Sequence, residues 1–211
     1  MDILKNISPR KLGIVFILFF FCLTASESFT QDLEKVFSAS YIYEKKGDYA
    51  SAIIEIMDVY VSDSYQMNTR LGWLNYLAGN FTESRQYYGK SINLKPGALE
   101  PKFGYANTSA SLGNWDDAME QYFEILKIDP NNTFASFRLG MIYYNREDYS
   151  KAFALFEKVA NFYPLDFDSN LMLGWTYWRL GKNSEAKEMF KIALLISPGN
   201  ASANEGLSLI K

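Results

Sequence analysis

Residues 133–166 read TFASFRLGMIYYNREDYSKAFALFEKVANFYPLD, and residues 167–200 read FDSNLMLGWTYWRLGKNSEAKEMFKIALLISPGN. Laid over one another, they agree at Leu139-Gly140 and Leu173-Gly174, Tyr143 and Tyr177, Ala152 and Ala186, Phe156 and Phe190, and Pro164 and Pro198. Several positions sharing one period of 34 residues mark a structural repeat rather than a single domain pattern. Working outward, Pro96 and Pro130 fall on the same step, as do Gly79, Gly113, Glu147 and Gly181. So do Gly72, Ala106, Gly140 and Gly174, and Ser84, Ala118, Ala152 and Ala186. A weaker first copy carries Ser40, Gly47 and Ala52 and lies 32 residues before the next, so two residues are missing between its second helix and the following copy. The repeats fall at about 33–64, 65–98, 99–132, 133–166 and 167–200, inside a repeat domain of 31–200.

Each copy reads as two helices. Phe137, Leu139, Gly140, Tyr143 and Tyr144 keep helical spacing, Glu147-Asp148-Tyr149 reads as a turn, and a second helix starting at Ser150 carries Ala152, Leu155, Phe156 and Val159. Pro164 closes it, because proline cannot continue a helix without losing a hydrogen bond. Thr82, Asp116, Ser150 and Ser184 recur at the start of the second helix and are residue types suited to capping its orphan N–H groups, with Glu83, Asp117 and Glu185 next in line for the helix dipole. Ala50 replaces the cap in the first copy, which predicts that hairpin to be the loosest. Glycine inside a helix costs about 1 kcal/mol relative to alanine, so Gly72, Gly140 and Gly174 are read as points where the second helix approaches closely. The large residues Tyr88, Tyr122, Phe156 and Phe190 are expected to fill the space between successive hairpins. Residues 201–211 read as a capping helix, with Asn200 as its cap and Leu207 and Ile210 covering the last apolar face.

These residues resemble the tetratricopeptide repeat family from about Leu33 to Asn200. Where that family often carries a large residue three before the Leu-Gly pair, this chain has Asn68, Lys102, Ser136 and Asn170; the next residue is apolar in several copies (Phe37, Phe103, Phe137, Leu171). The resemblance implies an all-α, right-handed superhelical solenoid of about five antiparallel helix hairpins, with a concave surface lined mainly by first helices. It also implies a ligand that is another protein or an extended peptide segment.

The N-terminal residues 1–30 read as a signal peptide or an N-terminal anchor. Lys5, Arg10 and Lys11 precede an apolar run from Leu12 to Leu23, followed by Thr24-Ala25-Ser26-Glu27-Ser28. The run falls short of the roughly 20 residues needed to span a bilayer comfortably. Cleavage after Ala25, Ser26, Ser28 or Thr30 fits, and an uncleaved segment would anchor the chain to the inner membrane. Cys22 invites a lipoprotein reading, but Phe19-Phe20-Phe21 stand where small residues are wanted. Export to a periplasm or cell envelope, in a bacterium, is the expectation.

Composition narrows the function. Of 211 residues, 48% are hydrophobic and 17% aromatic, enough for a packed core. Formal charge is -3, from 21 basic and 24 acidic residues; without residues 1–25, which hold three of the bases and one acid, 18 against 23 leaves -5. That balance offers no footprint for nucleic acid. The chain has no histidine, and Cys22 is its one cysteine, which excludes Cys/His zinc sites and imidazole-based triads from the repeat domain. No catalytic site, cofactor or metal cluster is expected. Asp116-Asp117 and Glu147-Asp148 read as cap and turn residues. Four Asn-X-Ser/Thr sequences (at Asn80, Asn107, Asn131 and Asn200) matter only in a eukaryotic secretory pathway.

The candidate partner-binding residues follow from phase along the first helices: Trp73 and Tyr76, then Phe134, Met141 and Tyr144, then Trp175, Trp178 and Arg179, flanked by Phe37, Tyr41, Phe103, Asn107 and Phe137. Aromatic faces supply large apolar area and stacking, so the groove suits a peptide or, alternatively, a glycan. The same side chains at these phases also serve as packing between neighbouring first helices. Asn107 matches one position of the family's carboxylate clamp, but Phe103 and Arg138 stand where its companions belong, so no clamp is expected. The function expected is a protein–protein interaction scaffold or adaptor, with a peptide- or glycan-binding protein as the alternative.

Overall fold

The structure is a computed structural model and describes residues 33–210; the signal segment, its cleavage points and Cys22 lie outside the described residues. Helix α1 occupies 33–45. It is followed by α2 (Tyr49–Met57), α3 (Tyr65–Leu77), α4 (Phe81–Leu94), α5 (Glu100–Ser111), α6 (Trp115–Ile128), α7 (Thr133–Asn145), α8 (Tyr149–Phe162), α9 (Phe167–Arg179), α10 (Asn183–Ile196) and α11 (Ala201–Leu209). Consecutive helices pair as hairpins and then stack, and first helices also touch across repeats, as α3 does with α5 and α9 with α11. The described chain is therefore an all-α solenoid.

The recurring small and large residues explain why the hairpins close as they do. Tyr88, Phe156 and Phe190 lie buried in the second helices, against Gly72, Gly140 and Gly174 of their own first helices. A Cβ added at those glycines would come 2.8, 2.8 and 2.9 Å from the facing ring. Two of these rings are gripped from the other side by the following helix: Gly104 of α5 would place a Cβ 2.2 Å from Tyr88, and Gly206 of α11 one 2.3 Å from Phe190. Between them the alanines Ala52, Ala118, Ala152 and Ala186 are fully buried. Tyr88 thus joins two hairpins, and Phe190 joins the last hairpin to α11, which makes these units depend on their neighbours.

The capping assignment of the second helices is corrected. Their N-caps are Asp48, Asn80, Asn114, Asp148 and Lys182, so Thr82, Asp116, Ser150 and Ser184 sit two residues further in, at the second helical residue. The reason is the shortness of the connection. Gly79, Gly113 and Gly181 adopt φ of 78°, 77° and 73°, Glu147 takes φ 62° in the same place, and the next residue is already the cap. Asp48 Oδ1 accepts from Ser51 N at 3.1 Å, so Ala50 does not deprive the first hairpin of a cap. That hairpin differs at its other end: α2 has nine residues where α4 has fourteen. At the C-terminus Asn200 Oδ1 accepts from Ala203 N at 3.0 Å, and Leu207 and Ile210 pack on the cluster around Phe190.

Candidate functional site: the face of the first helices

The first helices bring the predicted side chains onto one face, where they line three hollows in succession. The largest, of about 810 Å³, lies between α1, α3 and α5 and is walled by Phe37, Tyr41, Tyr65, Trp73, Leu99 and Phe103. Its floor is an ionic network. Arg70, almost wholly buried, pairs with Glu44, and its Nε and Nη2 donate to Ser40 Oγ at 3.1 and 3.0 Å. Its guanidinium lies 3.8 Å from the centre of the Tyr41 ring. Ser40 Oγ in turn donates to Ala52 O at 3.0 Å, so one buried cation ties α1, α2 and α3 together. The Trp73 indole Nε1 donates to Glu44 Oε1 at 2.8 Å and its ring stacks on Tyr76 at 6.0 Å and 21°. These contacts fix the plane of Trp73 while 41% of it stays exposed. Burial pushes the Glu44 carboxyl up, but the hydrogen bonds from Trp73 and Arg70 and the guanidinium charge outweigh it and hold the group below the usual carboxylate range.

The middle hollow, about 430 Å³, is lined by Tyr76, Asn107, Trp115, Phe137, Arg138 and Met141. Phe134, 47% exposed, lines a separate hollow of about 440 Å³ with Phe137, Arg138 and Tyr163; it lies edge-on to Phe103 at 5.3 Å and under the Arg138 guanidinium at 5.1 Å. Tyr122 donates its hydroxyl to Asn107 Oδ1 at 3.2 Å. The last hollow, about 400 Å³, gathers Tyr144, Met172, Trp175, Trp178 and Arg179 with Glu205 and Leu209 of α11. Arg179 lies 5.0 Å from Trp178 and 5.8 Å from Tyr149. Neither Arg138 nor Arg179 forms a salt bridge among the described residues.

Two sequence profiles of the tetratricopeptide repeat match the chain, one at residues 65–97 and 167–200 and the other at 134–166. The chain belongs to the tetratricopeptide repeat family. Among curated relatives it is 27% identical over 147 residues to the CTR9 homolog of Arabidopsis thaliana, covering 64% of this chain and 14% of that protein. It is 22% identical over 178 residues to the TPR repeat-containing protein YpiA of Bacillus subtilis, covering 79% and 40%. The chain therefore spans well under half the length of either relative. Similar solved structures are a tetratricopeptide repeat protein from Parabacteroides merdae (TM-score 0.74, 20% identity, 83% of this chain and 71% of that one) and MamA (0.71, 18%, 79% and 92%). A third is YrrB, described as a TPR protein with an unusual peptide-binding site (0.72, 17%, 89% and 97%). At these identities the structural likeness is one of fold.

Within the tetratricopeptide frame, the expected groove residues divide by what holds them. Trp73 and Phe134 are exposed, and Arg179 is exposed beside a half-buried Trp178. Tyr76, Met141 and Tyr144 line hollows from partly buried positions. Trp175 is different: its Nε1 donates to Ser202 Oγ at 2.9 Å and its ring meets Phe190 at 5.1 Å and Trp178 at 5.6 Å. It fastens α11 to the last hairpin. Sequence reasoning missed Arg70 and Glu44, which shape the largest hollow; Arg70 shares the phase of Arg138, a signal that a first-helix cation faces this side.

Proposed function

We propose that the chain is an exported, non-enzymatic scaffold that holds an extended segment of a partner protein along the face of its first helices. The tetratricopeptide fold supports the class of activity, and one observation carries the placement. Exposed aromatics (Trp73, Phe134) and cations without salt bridges (Arg138, Arg179) share a face with three consecutive hollows. Rigid aromatics offer apolar area at small entropic cost, and the two guanidinium groups suit carboxylates on the segment. A segment reaching from Trp73 to Trp178 must be extended to touch both ends, which favours a peptide over a compact ligand. YrrB, a protein of similar fold described as having an unusual peptide-binding site, agrees with this reading. The basic, apolar and small-polar order of residues 1–30 supports export to a bacterial cell envelope. Fractionation followed by intact-mass analysis tests the export: a mature form lacking Cys22 outside the cytoplasm is expected, and full-length cytoplasmic protein refutes it. Trp fluorescence titrations with short glycans separate the alternative, because saturable binding of a glycan with no protein partner would favour it.

A further inference from the structure

The two ends of the solenoid are not equivalent. At the C-terminal end α11 places Ala203, fully buried, and Leu207 and Ile210 over the last hairpin. Its other side carries Asn204, Glu205 and Ser208, all exposed. At the N-terminal end α1 presents a shallow hollow lined by Glu34, Lys35, Ser38, Ala39 and Ile42. The repeat phase shows what this face is. Ile42 corresponds to Leu74, Thr108, Ile142 and Thr176, which are 0%, 0%, 6% and 0% exposed, yet Ile42 itself is 51% exposed. Ala39 corresponds to Leu71, Tyr105, Leu139 and Leu173; the three leucines are buried, while Tyr105 and Ala39 are partly covered. In every later repeat the Ile42 register is covered by the preceding hairpin; in α1 no described residue takes that place.

The chemistry of the face selects its occupant. Lys35 stands where later copies carry the buried Met67, Pro101, Ala135 and Ser169, so this face carries charge where the later interfaces do not. The charges are arranged differently. Glu34 and Lys45 are exposed and about three helical turns apart, hence on one side of α1 with Ser38 and Ile42 between them. Neither is paired within the described chain. An acid at one end and a base at the other, around an apolar centre, is complementary to its own copy turned antiparallel. We propose that this face of α1 packs across a two-fold axis against the same face of a second copy of this chain, with each Glu34 opposite the partner's Lys45, Ala39 nearest the axis and Ile42 beside it. Such a contact is isologous and closes on itself, giving a dimer rather than a filament. A single helix face is small for a specific interface, so the dimer is reversible and concentration-dependent.

Sedimentation velocity of the full chain over a concentration series tests this directly. The wild type should move from monomer to dimer, and Glu34→Lys and Lys45→Glu should each weaken self-association by roughly tenfold or more, since like charges then face each other twice. Both substitutions are at exposed positions, and far-UV circular dichroism should show the same helicity in each. The deciding measurement mixes the two variants. In the mixed dimer, lysines at 34 and 45 of one copy meet glutamates at 45 and 34 of the other, so association should return. A wild type that stays monomeric at all concentrations overturns the inference, including the case in which the chain's own N-terminal residues cover α1. Single variants that dimerise as the wild type does, or a mixture that fails to associate, overturn it equally.

Discussion

Replacing Gly104 by alanine isolates the contact on which the stacking depends. Gly104 lies inside α5, and an added Cβ would stand 2.2 Å from Tyr88 Cζ, where carbon atoms in contact prefer about 3.5–4.0 Å. The ring cannot retreat, because its far side already faces Gly72 with 2.8 Å to that residue's added Cβ, and Tyr88 is only 3% exposed. So α5 must move away from α4. Overpacking costs about 1–3 kcal/mol, and an approach of 2.2 Å with no room to retreat belongs at about 2–3 kcal/mol of that range, against a helix-propensity gain of about 1 kcal/mol for replacing glycine by alanine. The expected net loss is about 1–2 kcal/mol; at about 2–4 °C per kcal/mol for a chain of this size, the melting temperature drops by roughly 2–8 °C. Gly89→Ala is the matched control: its nearest neighbour is Tyr105 Cε2 at 3.7 Å, an ordinary contact, so propensity alone acts and the protein gains up to about 1 kcal/mol. Urea and thermal unfolding followed by far-UV circular dichroism measure both. If Gly104→Ala melts at or above the wild type, the ring-between-glycines packing is wrong. A Tyr88→Leu background should shrink the penalty, since the clashing atoms are then gone.

Glu147→Gly should stabilise the protein by roughly 0.5–1 kcal/mol in the same unfolding assay, because Glu147 alone among the repeat-phase turn residues holds φ 62° with a side chain, and the left-handed region costs such residues about 1–2 kcal/mol; a loss of stability would refute it. Acidification should release Trp73. The Glu44 carboxyl titrates below its unfolded value, so its contribution is complete above the ordinary carboxylate range and is lost as pH falls through the lower folded value. Trp73 emission should change in that acid window in the wild type, and an unaltered profile in Glu44→Gln would show that another group is responsible.

Much of the fold was legible because the repeat forces it to be. The 34-residue step of Gly72, Gly140 and Gly174, together with the large residues sixteen positions later, encodes a close approach that any single copy would leave ambiguous. The caps were misplaced because Thr82, Asp116, Ser150 and Ser184 have the right chemistry, while the left-handed residue at 79, 113, 147 or 181 makes the turn two residues shorter than composition suggests. The face of the first helices was legible as a list of phases but not as a surface. Trp175 and Trp73 look equivalent in sequence, yet one is bound to Ser202 beneath α11 and the other stands at the wall of the largest hollow. Nothing local announces that difference, and nothing local couples Arg70 to Glu44, 26 residues earlier; both depend on how hairpins stack.

The most direct test of the partner-binding face is site-specific photocrosslinking in cells. A photoreactive phenylalanine analogue placed at Trp73, Phe134 or Met141 samples the first helices, and at Gln86, Glu120 or Lys187 the exposed side of the second helices. A discrete protein adduct from the first three positions, absent from the other three and lost when Arg138→Ala is added to the Trp73 probe, is the result this account predicts. Adducts confined to Gln86, Glu120 or Lys187 would contradict it.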